Sequence, residues 1–378
     1  MPLPHAVLAL ILLSTASVTA QVSRTSEKVS PSDNVGRFHV LLPHKVNSTT
    51  TVPVNFTLTY PAQGAAQSPV DTKSKKPLVL LLNGASVESF WYQRFIEELA
   101  NKGFVIAASD YYRPFPYKTP VLPRPGCRQD AIVDASARLI NTLYDFIHNV
   151  THGNYNAVKP SLQFLQRANL DQLLLLGHSL GGFVACDILS GGCEVDSSIN
   201  DSCEGYTPVL NAEGKDVVIG AVTFEGYLAG SEMKPQNITL AERTFTLFLA
   251  GQYNKNTREA FIGARDSGSC VSYIGFHAMN HYGMNDFVSP HQVTPCAAPT
   301  PADDPQFTTD AATQAAGVDL IAEIIDITVS IRGQGSSRDI DTLKRLVGEP
   351  RVREAMLNTK CLSTQGHVGG TVGGIDLE

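Results

Sequence analysis

This sequence reads as an α/β protein, with a mostly parallel central sheet and helices on both faces. Three observations carry that reading. Leu78–Leu82, Leu173–Leu176 and Val217–Phe224 are short, almost wholly apolar runs, the texture of strands buried on both faces rather than of half-exposed strands, which alternate. Between them stand segments of helical spacing: Phe90–Asn101, with Phe90, Phe95, Leu99 and Ala100, and Ile132–Ile147, with Ile132, Ala135, Leu139, Leu143, Phe146 and Ile147 on one stripe. Finally, Leu78–Leu82, Phe90–Asn101 and Phe104–Ala108 form consecutive βα steps, which imply parallel neighbours joined by crossovers.

The elements follow in order. Ala6–Leu13 is an apolar core, followed by small residues and a Val18-Thr19-Ala20 cleavage pattern before Gln21, as in a secretory signal; no Lys or Arg precedes it. The run is too short for a membrane anchor, and no later run is long enough to span a bilayer. Five N-x-S/T sequons, at Asn47, Asn55, Asn149, Asn200 and Asn237, agree with entry into the secretory route, and the 7 Cys all follow the signal, in a compartment that permits disulfides. In an alga with a complex plastid the same signal would be the first step of plastid import. Residues 1–20 are expected to be a signal peptide, 21–36 a flexible segment, 37–362 one folded domain and 363–378 a disordered Gly-rich tail. The net charge of -7 supplies no basic footprint, so nucleic acid is not an expected partner.

Arg37–Leu42 and Val52–Tyr60 read as an antiparallel lead-in pair, and Gln63–Lys76 as a polar loop. Asp110–Arg128 is rich in Tyr, Pro and Arg and lies beyond a strand C-terminus, where open α/β sheets carry ligands; Tyr111, Tyr112, Phe115 and Tyr117 would line an apolar cleft there or belong to a solvated loop. Gly191–Lys215 is a polar insertion that Cys193 and Cys203 could close, Cys127 and Cys361 are a possible pair, and Cys186 reads as a buried thiol. Thr244–Ala250 and Val271–Phe276 are further strands, Ala311–Ile331 a closing helix and Val352–Leu357 a short helix.

The chemistry concentrates at Gly177-His178-Ser179-Leu180-Gly181, a match to the G-x-S-x-G nucleophile elbow. A strand turning sharply into a helix holds its serine in strained φ/ψ space, and the glycines let the flanking backbone pass closely. The helix Leu180–Leu189 aims its N-terminus, and so its positive dipole end, at Ser179, which favours the negative charge of acyl transfer. The pentapeptide alone also arises by chance; the strand before it and the helix after it are the context that gives it meaning.

Pro77–Leu82, Ser89-Phe90-Trp91-Tyr92, Gly103–Tyr112, Asn169-Leu170 and Gly177–Gly182 together resemble the chlorophyllase branch of the α/β-hydrolases, with platelet-activating-factor acetylhydrolases and cutinase-like polyester hydrolases as relatives of similar spacing. The resemblance spans about Arg37–Phe287, and it departs at Leu180, where plant chlorophyllases usually carry Arg. It implies an α/β-hydrolase fold, a Ser–acid–His triad in that chain order, no cofactor and no metal. The acid is then Glu225, at the end of Val217–Phe224, where relatives carry Asp; the other usual position, Gly251–Lys255, holds no carboxylate, and Asp187 and Asp216 lie away from strand ends. His281, in His281–Phe287, is the implied base, with His277 as fallback and His178 as a structural residue. Backbone N–H groups of Ala85, after Asn83-Gly84, and of Leu180 are the expected oxyanion donors. His277 and His281 lack further ligands at metal-binding spacing. Cys270 and Cys296 bracket His281, and related polyester hydrolases clamp this loop with a disulfide. The implied function is hydrolysis of an apolar ester, chlorophyll first; a secreted lipase, acetylhydrolase or cutinase-like esterase is the alternative, and a catalytically inactive hydrolase fold used for binding is the reading from another class.

Overall fold

The computed structural model describes residues 35–46, 50–62, 75–85, 87–114, 131–151, 159–195, 203, 205–227, 240, 244–252, 254–286, 311–334 and 336–358. The chain enters through β1 (Val35–Lys45) and β2 (Thr51–Pro61), then β3 (Lys76–Leu82), α1 (Gln93–Asn101), β4 (Val105–Pro114), β5 (Ala131–Asp134) and α2 (Leu139–Thr151). It continues through β6 (Ala168–His178), α3 (Leu180–Leu189), the single turn α4 (Gly192–Val195), β7 (Val218–Phe224), β8 (Phe245–Ala250), α5 (Asn256–Asp266) and β9 (Val271–Phe276). It closes with α6 (Ala311–Gln334), α7 (Ser337–Val347) and β10 (Val352–Met356).

The strands line up β1-β2-β4-β3-β6-β7-β8-β9-β10, with β5 on β4 off that path. From β4 to β9 every neighbouring pair on that path is parallel, while β1, β2 and β10 run antiparallel at the two edges. The chain steps from β3 out to β4 and later returns to the other side of β3 as β6. The strand order therefore reverses between β3 and β6, and a crevice opens at their C-terminal ends. This strand order, with helices on both faces, is the α/β-hydrolase fold.

The leucine run of β6 shows why the sheet must be covered twice. Leu173 and Leu175 face the layer of α2, α3 and α5, and Leu174 and Leu176 face the layer of α1, α6 and α7. All four are at most 1% exposed. Each such side chain stabilises the fold by about 1.5–3 kcal/mol relative to an exposed one. Lys76, Arg94 and Lys102 pair with Asp326, Asp319 and Glu323, three acids on one stripe of α6. These pairs are partly exposed and set the register of α6 more than its stability.

Several expectations need correction. The domain begins two residues before Arg37, because Val35 and Gly36 pair with Pro61 and Tyr60. Phe90 is 53% exposed in the 3-10 turn Ser89–Tyr92, off the buried stripe of α1. The expected helix Ile132–Ile147 is a strand followed by a shorter helix: β5 pairs with the extension of β4, Tyr112 opposite Val133, and the β-branched Ile132 and Val133 suit that pairing. Tyr111 is buried against His44, ring centroids 4.7 Å apart, so it lines no cleft. Phe115, Tyr117, Cys127, Cys296 and Cys361 lie outside the described residues. The expected helix Val352–Leu357 is β10, drawn into extended form by the open edge of β9. The amphipathic α7 was not expected, though Ile340, Leu343, Leu346 and Val347 carry its period. Cys193 and Cys203 are joined as expected.

Buried titratable groups make stability depend on pH. His44 is 1% exposed, with Nδ1 2.8 Å from Thr142 Oγ1. Burial, with the positive charge of Arg138 second, pushes its pKa from 6.5 down to about 4. The folded value is depressed, so the neutral ring's contribution is whole above pH 6.5 and is lost as pH falls toward 4, by at most about 3 kcal/mol. Asp187 acts in the opposite sense: burial raises it from 3.8 to about 6, so its contribution is whole below 3.8 and lost as pH rises through 6. Comparing His44→Asn with the unmodified protein cancels that aspartate. Thermal or urea unfolding should show a shallower loss of stability for His44→Asn between pH 6.5 and about 4.5; equal slopes would show that His44 is not held neutral.

Candidate active site

Each residue expected at the site stands at the C-terminal end of a parallel strand. Ser179 stands between the end of β6 and the first turn of α3, which spans Leu180–Leu189 as expected. Its φ of 50° and ψ of -116° are those of a strained turn, a conformation that costs a non-glycine residue on the order of 1–3 kcal/mol. The turn is held from both sides: Ser179 N–H donates to Phe224 O at 3.0 Å, and Ser179 O accepts from Gly182 N–H and Phe183 N–H. The first helical N–H, that of Leu180, has no partner within the helix by construction.

The glycines are there for clearance. A Cβ on Gly181 would sit 2.0 Å from Leu82 O, and one on Gly182 would sit 2.5 Å from Gly226 Cα. The start of α3 is thus pressed against the ends of β3 and β7 with no room for a methyl group. After β3, Asn83 is buried and its Nδ2 donates to Ser109 O at 3.0 Å, tying this turn to β4. Gly84 N–H is already engaged with Tyr92 Oη at 2.9 Å, which leaves Ala85, exposed, as the next N–H along the turn.

Glu225 follows β7 with a φ of 52° and is 5% exposed. Its Oε1 accepts from Gly251 N–H at 2.8 Å, and its Oε2 accepts from Asn254 Nδ2 at 3.1 Å. Oε2 also lies 2.6 Å from His281 Nδ1. With the carboxylate accepting, Nδ1 carries the proton and Nε2 keeps its lone pair. Gly251 is small for a reason: a Cβ there would come within 2.6 Å of Glu225 Oε1. The loop after β8, which holds no carboxylate, supplies donors to the carboxylate of the neighbouring strand instead.

His281 lies on a loop after β9, and that loop is fixed at many points. Met279 and Met284 are buried. Gln252 N–H donates to Met279 O at 2.9 Å, and Gln314 Nε2 of α6 donates to Tyr282 O at 2.9 Å. Asp286 takes Arg94 N–H at the start of α1, at 3.1 and 3.2 Å. His277, the fallback base, is exposed at the end of β9, where its N–H donates to Arg351 O. It is His281 that meets Glu225. Cys270 is partly buried before β9, and its expected partner Cys296 is outside the described residues.

His178 is wholly buried, with its ring centroid 5.0 Å from that of His281. Tyr92, Gly251, Asn254 and Asp286 were not foreseen as parts of this edge. Sequence reasoning reaches Tyr92 and Asp286 only as members of stretches of family likeness, and Gly251 and Asn254 only as part of a loop lacking a carboxylate. Among the described residues no cluster of His, Cys, Asp and Glu is arranged to hold a metal ion, and no helix is long and apolar enough to cross a membrane.

No family model matches the chain, and no curated protein matches it. Among solved structures, a ferulic acid esterase from Streptomyces cinnamoneus is similar, at 16% identity and a TM-score of 0.44, covering 79% of this chain and 91% of that one. A superposition that loose transfers neither site nor substrate; the fold assignment stands on the strand order.

The clearance at the elbow is testable. Gly182→Ala should destabilise by about 1–3 kcal/mol or more, since backbone rather than a side chain must move. Gly333→Ala, on an exposed position of α6 with nothing within 4 Å of the new Cβ, should instead stabilise by up to about 1 kcal/mol. Chemical denaturation of the two variants measures both; a Gly182→Ala variant as stable as the unmodified protein would contradict the close crossing.

Proposed function

We propose that this protein is a serine carboxylic-ester hydrolase whose nucleophile is Ser179, base His281 and acid Glu225. The observation that carries the reading is the 2.6 Å bond between His281 Nδ1 and Glu225 Oε2, on the same strand edge as the strained elbow of Ser179. Ser179 Oγ attacks the ester carbonyl while His281 Nε2 takes its proton. Glu225 stabilises the imidazolium and holds its tautomer. The N–H groups of Ala85 and Leu180 receive the oxyanion, the latter backed by the positive end of α3. His281 then protonates the departing alcohol. Water, deprotonated by the same nitrogen, attacks the acyl-enzyme and releases the acid and Ser179.

The substrate we propose within this class is chlorophyll, cleaved to chlorophyllide and phytol. The support is the sequence likeness of Pro77–Leu82, Ser89–Tyr92 and Gly177–Gly182 to chlorophyllases, with Leu180 in place of their usual Arg. Phe90, 53% exposed, and Trp91, with ring centroids 4.5 Å apart, offer apolar surface just past the Ala85 turn, as a large apolar ester requires. The compartment we propose is the secretory route, supported by the signal-like stretch Ala6–Ala20 and the five sequons, with plastid delivery the variant for an alga with a complex plastid.

A fluorophosphonate probe labels only an activated serine. The full-length protein should label quickly at Ser179, and Ser179→Ala should abolish labelling and lower turnover on the order of a million-fold while keeping the fold. An unlabelled, inactive protein would instead be a hydrolase fold used for binding. Glu225→Gln places an amide against either Gly251 N–H or His281 Nδ1–H, donor against donor, and should cost about three to four orders of magnitude in turnover; near-normal turnover would put the acid elsewhere. Chlorophyll, a short-chain nitrophenyl ester and a phospholipid assayed side by side decide the substrate. Preference for either of the last two would replace chlorophyll with an esterase or lipase substrate.

A further inference from the structure

Three separate segments form the candidate site: the turn after β3, the elbow after β6 and the loop after β9. One chain of hydrogen bonds runs through all three, and none of its side chains is a member of the proposed triad. Gly84 N–H donates to Tyr92 Oη at 2.9 Å. Tyr92 Oη lies 2.8 Å from His178 Nδ1, and His178 Nε2 lies 2.8 Å from the backbone carbonyl of His281. Tyr92 and His178 are each 0% exposed.

The direction of every proton in this chain follows from chemistry. A carbonyl oxygen only accepts, so His178 Nε2 carries a hydrogen and donates to His281 O. Burial, followed by the neighbouring His281, pushes the pKa of His178 down to about 3, so the ring is neutral and Nδ1 is bare. Nδ1 therefore accepts from the Tyr92 hydroxyl, whose oxygen accepts from Gly84 N–H. Each bond determines the next, and no alternative tautomer satisfies all three.

The setting leaves little slack. A Cβ on Gly84 would come 2.6 Å from His178 Nδ1, so the turn after β3 sits directly on the ring. Phe224, Tyr282 and His281 surround the ring, with centroids 6.2, 6.0 and 5.0 Å away. A buried histidine needed only to fill space would have no reason to commit one nitrogen to the Tyr92 hydroxyl and the other to the loop of His281. Leucine or methionine would fill the same volume without a desolvation cost.

We infer that Tyr92 and His178 are positioning residues, a tether that sets the height of the His281 backbone above the elbow and couples it to the turn bearing the Ala85 N–H. The inference rests on the proposed serine hydrolase reading. The tether touches no reacting atom; it acts through His281, whose displacement by about an ångström costs on the order of a hundredfold in rate.

Side-chain isosteres separate a tether from a filler. His178→Gln keeps an amide donor near the place of Nε2, whereas His178→Asn puts its amide near the place of Nδ1 and leaves the His281 carbonyl without a donor. On a soluble nitrophenyl ester, His178→Asn should lose about a hundredfold in kcat with KM nearly unchanged, and His178→Gln should stay within about tenfold of the unmodified enzyme. Equal kcat for the two variants, at matched unfolding temperature, would overturn the tether. Tyr92→Phe removes a single oxygen and serves if the His178 variants do not fold. It should cost about tenfold in kcat with KM unchanged, and full kcat in a folded Tyr92→Phe enzyme would likewise overturn the inference. Nitrogen NMR supplies a readout independent of turnover: His178 should remain the neutral Nε2–H tautomer from neutral pH down to about 5, and a ring that titrates above that pH contradicts the bonding. An unmodified protein that neither labels with a fluorophosphonate nor hydrolyses any ester overturns the hydrolase reading, and this inference with it. An active one with the wrong order of variants overturns the tether alone.

Discussion

The crossing of two backbones at Gly182 and Gly226 is the constraint on which the site depends. A Cβ on Gly226 would lie 2.3 Å from Gly182 Cα and 2.8 Å from Ser179 O, so the elbow and the end of β7 touch main chain to main chain. Glu225 is the residue next to that contact. One clearance therefore sets the distance between the serine at the end of β6 and the carboxylate at the end of β7. The strained dihedral angles of Ser179 persist because α3 is wedged between Leu82 O on one side and Gly226 on the other, and relaxing the turn would drive the helix into one of them.

Strain elsewhere in the described chain follows the same geography. The residues other than glycine with positive φ are Ser179, Glu225 and Ala278. They stand after β6, β7 and β9, all on the crevice side of the sheet. Each is locked by contacts from outside its own segment: Phe224 O for Ser179, Leu249 O for Glu225 and Gln252 Oε1 for Ala278. The loop carrying His281 has no strand partner of its own. It borrows rigidity from α6 through Gln314, from α1 through Asp286, from the loop after β8 through Gln252 and from the elbow through His178. The acid stripe of α6 contributes indirectly, since the pairs to Lys76, Arg94 and Lys102 fix where Gln314 can reach.

Where sequence and structure part company, the cause is competition for an open sheet edge. Ile132–Asp134 fits the period of α2, and Val352–Met356 suits a short helix as well as a strand. In the first case the extension of β4 at Tyr111–Pro114, and in the second the edge of β9, offers hydrogen bonds that a short isolated helical turn cannot match. Tyr111 lies past the apolar run, where a cleft residue or a solvated loop is expected, but β4 runs on and turns that ring onto His44. Conversely, the spacing of Ile340, Leu343, Leu346 and Val347 carries the period of α7 among polar neighbours.

The central strands and the elbow were legible in the chain because their causes are local. Unbroken apolar runs have to be buried on both sides, and a G-x-S-x-G between strand and helix has few conformations open to it. Glu225 and His281 were legible as candidates from their order and their place at strand ends. Their meeting was not, because residues 56 apart in sequence are brought within a hydrogen bond only by the order of β7, β8 and β9 in the sheet. Tyr92, Gly251 and Asn254 carry no local mark at all. A tyrosine in a 3-10 turn, a glycine after a strand and an asparagine in a loop acquire their roles from partners on other strands, and only the packed sheet decides which partners those are.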